Sequence, residues 1–173
     1  MKKPILFIKS LIFASILFVG CDSSDDIECP EALTGELSEK ETSFTGTWSL
    51  ISVVTEDEID LTDDDTENPT TDLYSQLPDC ENDMVYTFET DRTYTYYLGK
   101  NAADCATQQE ITGTWQLTDN NNLVFVTNCS SGGNLIEFNE DETEFSFEAT
   151  YNFTDVDGYT ITTKTTFTYG KSI

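Results

Sequence analysis

Histidine is absent from all 173 residues. Its absence removes the usual general base, the commonest metal-ligating side chain and any Ser-His-Asp arrangement. Basic residues are scarce: eight Lys and Arg stand against 33 Asp and Glu. Three of the eight, Lys2, Lys3 and Lys9, fall in the first 21 residues. Beyond them the chain keeps five, Lys40, Arg92, Lys100, Lys164 and Lys171, against 33 acidic residues, a formal net charge of −28. No two of these five are near in sequence, so there is no basic footprint for nucleic acid. The same imbalance disfavours contact with anionic lipid headgroups. Helical periodicity longer than a turn or two is also missing. The apolar run from Leu11 to Val19 falls well short of the roughly 20 residues that a transmembrane helix needs.

That short run has another reading. Lys2 and Lys3 precede it and Gly20-Cys21 ends it, which is the layout of a signal peptide over residues 1–20. Leu17-Phe18-Val19-Gly20-Cys21 resembles a bacterial lipobox, and the resemblance implies acylation of Cys21 with palmitate-type chains. Plain secretion is the alternative. Residues 21–43, opening with Asp22-Ser23-Ser24-Asp25-Asp26, are polar and acidic and are expected to form a lipidated flexible tether. Their start resembles the acidic export signal that one group of Gram-negative bacteria uses to send lipoproteins to the outer face of the outer membrane. A plain flexible spacer fits equally. The expected location is the outer membrane, lipid-anchored, with the periplasmic or surface face left open.

From Phe44 onward the pattern has period two. Phe145, Phe147, Ala149, Tyr151 and Phe153 alternate with polar residues without exception, as in a strand with one buried face. After a turn at Asp157-Gly158, Tyr159, Ile161, Phe167 and Tyr169 share a face with Thr163 and Thr165. Met84, Tyr86 and Phe88 alternate in one strand and Tyr94, Tyr96 and Leu98 in the next. For both sets to share a face, 88 must pair with 94, 86 with 96 and 84 with 98, around a loop centred on Asp91. Further strands are expected near 46–54, 112–118, 123–127 and 134–139, with Asp119-Asn120-Asn121-Asn122 and Ser131-Gly132-Gly133 as connections. Eight antiparallel strands in chain order suit an all-β up-and-down barrel over residues 44–173. A two-sheet sandwich is the competing architecture.

With Cys21 assigned to lipid, four cysteines allow three connectivities. Extending the hairpin register puts residue 80 opposite residue 102, so Cys80 and Cys105 emerge close together. Cys29 with Cys129 follows by elimination. Two bridges imply an oxidising compartment.

The segment Phe44-Thr45-Gly46-Thr47-Trp48 resembles the G-x-W start of lipocalins. Tyr86 to Tyr94, flanked by Cys80 and Cys105 and followed by Gly113-Thr114-Trp115, is similar to the lipocalin-like domain of secreted bacterial lipoproteins, over roughly Phe44 to Lys171. The resemblance implies a calycin-type eight-stranded barrel with a binding role and no chemistry of its own. It makes Gly46, Trp48, Gly113 and Trp115 a barrel signature, and it implies a basic residue beside the Trp at the closed end, for which Lys171 is the candidate. The T-D-Y motif of lipocalins is absent, since Asn139 to Thr143 occupy that turn. The hexamers TGTWSL and TGTWQL are not a duplicated unit, because nothing around them aligns at the same offset.

Two classes of function remain. One is a ligand-binding barrel in which Tyr86, Tyr94, Tyr96, Phe147 and Tyr151 face a small apolar or amphipathic molecule. The other is a structural or protein-interaction module of the envelope with a filled interior. No catalytic residue, cofactor or metal is expected, and the barrel is expected to act as a monomer attached to the membrane through lipid. Asp63, Asp65 and Glu67 have the alternate spacing of a calcium loop. Asn68 stands where Gly is needed and Tyr74 where the bidentate Glu belongs, so the EF-hand fails. The connection from Thr55 to Asp83 is long for a compact domain. Its Leu73, Tyr74 and Leu77 suggest a segment covering the mouth, pinned by Cys80, and a mobile acidic loop is the alternative.

Overall fold

The computed structural model describes residues 28–103 and 105–172. The proposed signal peptide and Cys21 lie outside the described residues. The chain forms α1 (Glu39–Phe44), β1 (Gly46–Ile59), β2 (Thr70–Asp72), α2 (Asp79–Asn82), β3 (Met84–Phe88), β4 (Thr93–Leu98), β5 (Gln109–Leu117), β6 (Asn122–Thr127), β7 (Ser130–Leu135), β8 (Glu137–Phe138), β9 (Glu144–Thr154) and β10 (Thr160–Lys171). The strand order is β7-β6-β5-β4-β3-β1-β10-β9-β8, antiparallel throughout, with β2 added alongside β1. The fold is all-β, a nearly closed barrel of nine strands.

The barrel comes close to closing because a single stretch of chain serves both edges. β7 pairs with β6, and after Ile136 the chain crosses to pair with β9 as β8. Ile136 is fully buried at this crossing and its N–H donates to the Asn121 carbonyl. The expected single strand at 134–139 is thus divided between two edges. Ser131-Gly132-Gly133 is not a connection but the body of β7. The turn lies earlier, at Asn128 and Cys129, both at positive φ (46° and 59°), the two-residue geometry that matches strand twist. Gly133 passes so close to β6 that a Cβ there would come within 2.7 Å of the Leu123 carbonyl.

The β3–β4 register is the expected one, with Phe88 opposite Tyr94, Tyr86 opposite Tyr96 and Met84 opposite Leu98. β9 and β10 pair from Glu144 with Gly170 to Thr154 with Thr160. Their loop spans residues 155–159, with Gly158 at φ +86°. Tyr159 therefore falls outside β10 and is 69 % exposed instead of sharing the inner face. Its N–H is taken by the Asp155 carboxylate as part of the turn.

β1 runs well past its expected end at residue 54. A bulge between Leu50 and Ser52 restores the inward parity of Val53, Thr55 and Ile59, all buried. β3 leaves the edge of β1 after Ser49. The freed edge is taken up by β2 and by Leu73 and Tyr74, whose N–H groups donate to the Val53 carbonyl. Residues 55–59 and 70–72 of the long connection are therefore strand and not a flap.

The second departure is at the N-terminal side, where the flexible tether was expected to reach residue 43. Ser38 caps α1 in a reciprocal box: its hydroxyl accepts from the Glu41 N–H, and the Glu41 carboxylate accepts from the Ser38 N–H. The Leu33 N–H donates to the Thr114 hydroxyl, and Lys40 reaches the Thr118 and Asp119 carbonyls. Phe44 is buried among Trp48, Phe88, Trp115 and Phe145, with ring centroids 4.8–5.7 Å away. Residues 33–44 are part of the domain, because Phe44 is buried in the core and Leu37 packs against it.

The two TGTW strands open β1 and end β5, and their glycines do different work. Gly46 sits at φ +123°, where a side chain is strained. Gly113 has no such angle but lies against β6: a Cβ there would overlap the Val126 carbonyl oxygen and approach Tyr94 Cε1 to 2.8 Å. Gly113→Ala is expected to cost about 1–3 kcal/mol through this overpacking, read as a lowered urea midpoint. An unchanged midpoint would mean that β5 and β6 can part at no cost.

Candidate functional site

The interior divides into two halves along the barrel axis. At one end Trp48 and Trp115 are fully buried and Phe44, Phe88 and Phe145 fill the space between them. Each indole N–H is satisfied, Trp48 by the Phe44 carbonyl at 2.9 Å and Trp115 by the Glu89 carbonyl at 3.2 Å. Lys171 Nζ lies 5.3 Å from the Trp48 ring centroid and also donates to the Ser43 carbonyl. This is the place that the resemblance assigned to a basic residue.

Below this plug is a buried ion pair that sequence reasoning did not find. Arg92, at φ +68° in the β3–β4 turn, donates to both carboxylate oxygens of Glu41, at 2.7 and 3.0 Å. Its remaining donors reach the carbonyls of Gly35, Glu36 and Trp115. The Leu117 N–H also donates to Glu41. Burial by itself would raise the Glu41 carboxyl. The hydrogen bonds from Arg92, Ser38 and Leu117, with the Arg92 charge, outweigh burial and hold the group down at about 2. The readable signal was the Ser38-x-x-Glu41 spacing of a capping box; the partner 51 residues away had none.

The other end is hollow. A cavity of about 500 Å³ is lined by side chains of β1, β3, β4, β9 and β10, with Leu77, Glu81 and Thr107 contributed by the connections. Of the five aromatic residues expected to face a ligand, Tyr86, Tyr96, Phe147 and Tyr151 line it. Tyr94 does not. It is buried in the packed half, with its ring 4.8 Å from Phe125 and 6.4 Å from Phe88. The reason is axial level: Tyr94 pairs with Phe88 next to the plug, whereas Tyr96 sits two residues nearer the opening. Tyr169, Phe167 and Phe153 complete the aromatic wall. Tyr86 meets Tyr96 at 4.8 Å and Tyr169 at 5.2 Å, and Phe147 stacks on Phe167 at 5.4 Å. Burial, and to a lesser degree the neighbouring phenols, raise the Tyr86 and Tyr169 hydroxyls well above their ordinary range, and Tyr96 moves the same way. All three stay neutral and protonated.

The rim of the cavity is fixed. Cys80 in α2 is bonded to Cys105, with Cα atoms 5.5 Å apart, which ties α2 to the chain after β4. The Asp83 carboxylate accepts from the backbone N–H groups of Asn101 and Ala102, and its carbonyl accepts from Gly99. Leu73 is fully buried and Tyr74 packs on the core, so of the proposed covering residues only Leu77 reaches the cavity. The second bridge joins Cys29 to Cys129 at the β6–β7 turn, with Cα atoms 4.5 Å apart.

The acidic stretch folds on itself. Asp60 accepts from the N–H groups of Asn68 and Thr62 and from the Thr62 hydroxyl, which lowers its carboxyl below the ordinary value. Among the described residues no group of three or more Cys, Asp or Glu side chains is arranged to hold a metal ion.

Fold and site together define a class: a small, nearly closed antiparallel barrel with one end packed solid and the other hollow and aromatic. The chain belongs to the family described as a domain of unknown function, DUF5004, whose model matches residues 22–172. No curated protein matches it in sequence.

Proposed function

We propose that this is a lipid-anchored protein of the bacterial cell envelope whose lipocalin-like barrel binds a small apolar or amphipathic molecule without catalysis. The observation that carries the reading is the 500 Å³ aromatic cavity at one end of the barrel. Its volume is in the range of small-molecule sites, its lining is largely apolar, and a disulfide ties α2 to the chain after β4 at its rim. A filled structural module would have little reason to leave this half unpacked, since unfilled apolar space costs stability. Anchoring through Cys21 in the outer membrane rests on the leader and lipobox, and palmitate-analogue labelling that leaves Cys21 unlabelled removes it. The lack of histidine supports a non-catalytic role.

The barrel is expected to take up the neutral dye Nile red at one site per chain. Met84→Trp and Leu98→Trp, which put bulk into the cavity from adjacent strands, should each weaken uptake at least about tenfold, the scale of one lost packing contact. Circular dichroism serves as the control for folding. Folded wild-type protein that takes up no dye would end the ligand-binding reading in favour of a filled module. Native mass spectrometry of the protein as isolated checks beforehand that no retained molecule occupies the cavity.

A further inference from the structure

The charge around the cavity is one-sided. Among the five basic residues that follow the leader, Lys40, Arg92 and Lys171 lie at the plugged end. Lys164 faces outward, paired with Glu148 at 2.6 Å, and Lys100 lies over the outer Tyr97 ring at 4.6 Å. None of them lines the cavity. Among the described residues its one charged lining residue is Glu81, exposed at the rim on α2. The wall itself presents the rings of four tyrosines and three phenylalanines. Aromatic faces carry the negative end of the ring quadrupole and attract cations, the more so when water is displaced. Resting on the ligand-binding reading, we infer that the cavity takes a cationic amphiphile, an amine or quaternary ammonium on an apolar or aromatic body, and discriminates against carboxylates such as fatty acids.

A carboxylate entering this site meets no cation, faces the Glu81 charge and must desolvate among aromatic side chains that offer it no counter-charge. A neutral apolar molecule gains burial alone. An ammonium group gains burial of its apolar body, the ring faces, and Glu81 at the mouth. The hydroxyls of Tyr86, Tyr96 and Tyr169, raised by burial, remain neutral, so they add hydrogen-bonding capacity without adding charge. The overall charge of the chain also concentrates cations near the surface, an effect that salt screens and that must be separated from the site itself.

The test uses three probes with one ring system: naphthalen-1-ylmethylamine, naphthalen-1-ylmethanol and 1-naphthoate. Binding is measured by calorimetry on the full chain carrying Cys21→Ser, which removes the proposed acylation site, at 0.15 M and 0.5 M salt. The amine is expected to bind about tenfold tighter than the alcohol, with the acid weakest. Glu81→Gln should shrink the gap between amine and alcohol, read as the ratio of their two affinities in the same variant. The alcohol should displace the amine one for one. Equal binding of amine and alcohol, or tighter binding of the acid, overturns the cation preference and leaves the ligand-binding barrel intact. An amine advantage that vanishes at 0.5 M salt and ignores Glu81→Gln marks surface attraction and equally overturns it. Failure of all three probes, together with Nile red, overturns the ligand-binding reading itself.

Discussion

Glu41→Gln is expected to lower folding stability by about 3–5 kcal/mol, because it leaves the Arg92 guanidinium buried without its counter-charge. Both side chains are about 4–5 % exposed, so water cannot stand in for the missing carboxylate. The four donors on the Glu41 oxygens come from Arg92, Ser38 and Leu117, so the variant disturbs the helix cap, the β3–β4 turn and β5 together. The pH dependence follows from the sign of the shift. The folded carboxyl is held at about 2, below its ordinary 4.5. The stabilisation is therefore complete above about 4.5 and is lost as pH falls from there toward about 2. Urea midpoints of wild type and Glu41→Gln should differ by a constant amount near neutrality and converge over that acid window. A gap that persists unchanged at pH 2 would locate the loss elsewhere than in the ion pair.

The second large effect belongs to the bridge between Cys29 and Cys129, which are 100 residues apart in sequence. On the chain-entropy model a loop of that length contributes about 4.7 kcal/mol by restricting the unfolded chain, against about 3.5 for the 25-residue separation of Cys80 and Cys105. The double variant Cys29→Ser/Cys129→Ser should thus lose more stability than Cys80→Ser/Cys105→Ser in denaturant titrations without reductant. It should also loosen residues 33–44, read as faster amide exchange in α1. The reverse order of stabilities would show that native-state geometry at the rim outweighs loop entropy.

The strands were legible where alternation was strict and both neighbours carried it. The β3–β4 register followed from three apolar residues on each side of Asp91, and Cys80 with Cys105 followed from that register. What stayed hidden depends on distances that no local pattern encodes. Glu41 and Arg92 are polar residues in a polar segment and a turn, and only the fold brings them together. Ser131-Gly132-Gly133 carries the composition of a turn, yet its glycines are there because β7 lies tightly on β6. The actual turn at Asn128-Cys129 lacks the glycine that usually marks such geometry. The cavity was half visible. Alternation put Tyr86, Tyr94 and Tyr96 on one face, but how far along the axis the plug extends is set by α1 and Phe44. That level decides that Tyr94 is packing and Tyr96 is wall.

The Cys29–Cys129 bridge also fixes a length. With acylation at Cys21, a free tether running to residue 43 would let the domain drift up to about 75 Å from the bilayer at ~3.5 Å per residue. Moored at residue 29, the domain begins eight residues after Cys21, a separation of at most about 28 Å. That is less than the width of the barrel itself, whose radius of gyration is about 15 Å for a chain of this size. Under the proposed anchoring, a body held that close could not tumble freely, and one flank of the barrel would stay turned toward the membrane. Reduction of this one bond would lengthen that reach only by the few residues up to Leu33, whose N–H donates to the Thr114 hydroxyl.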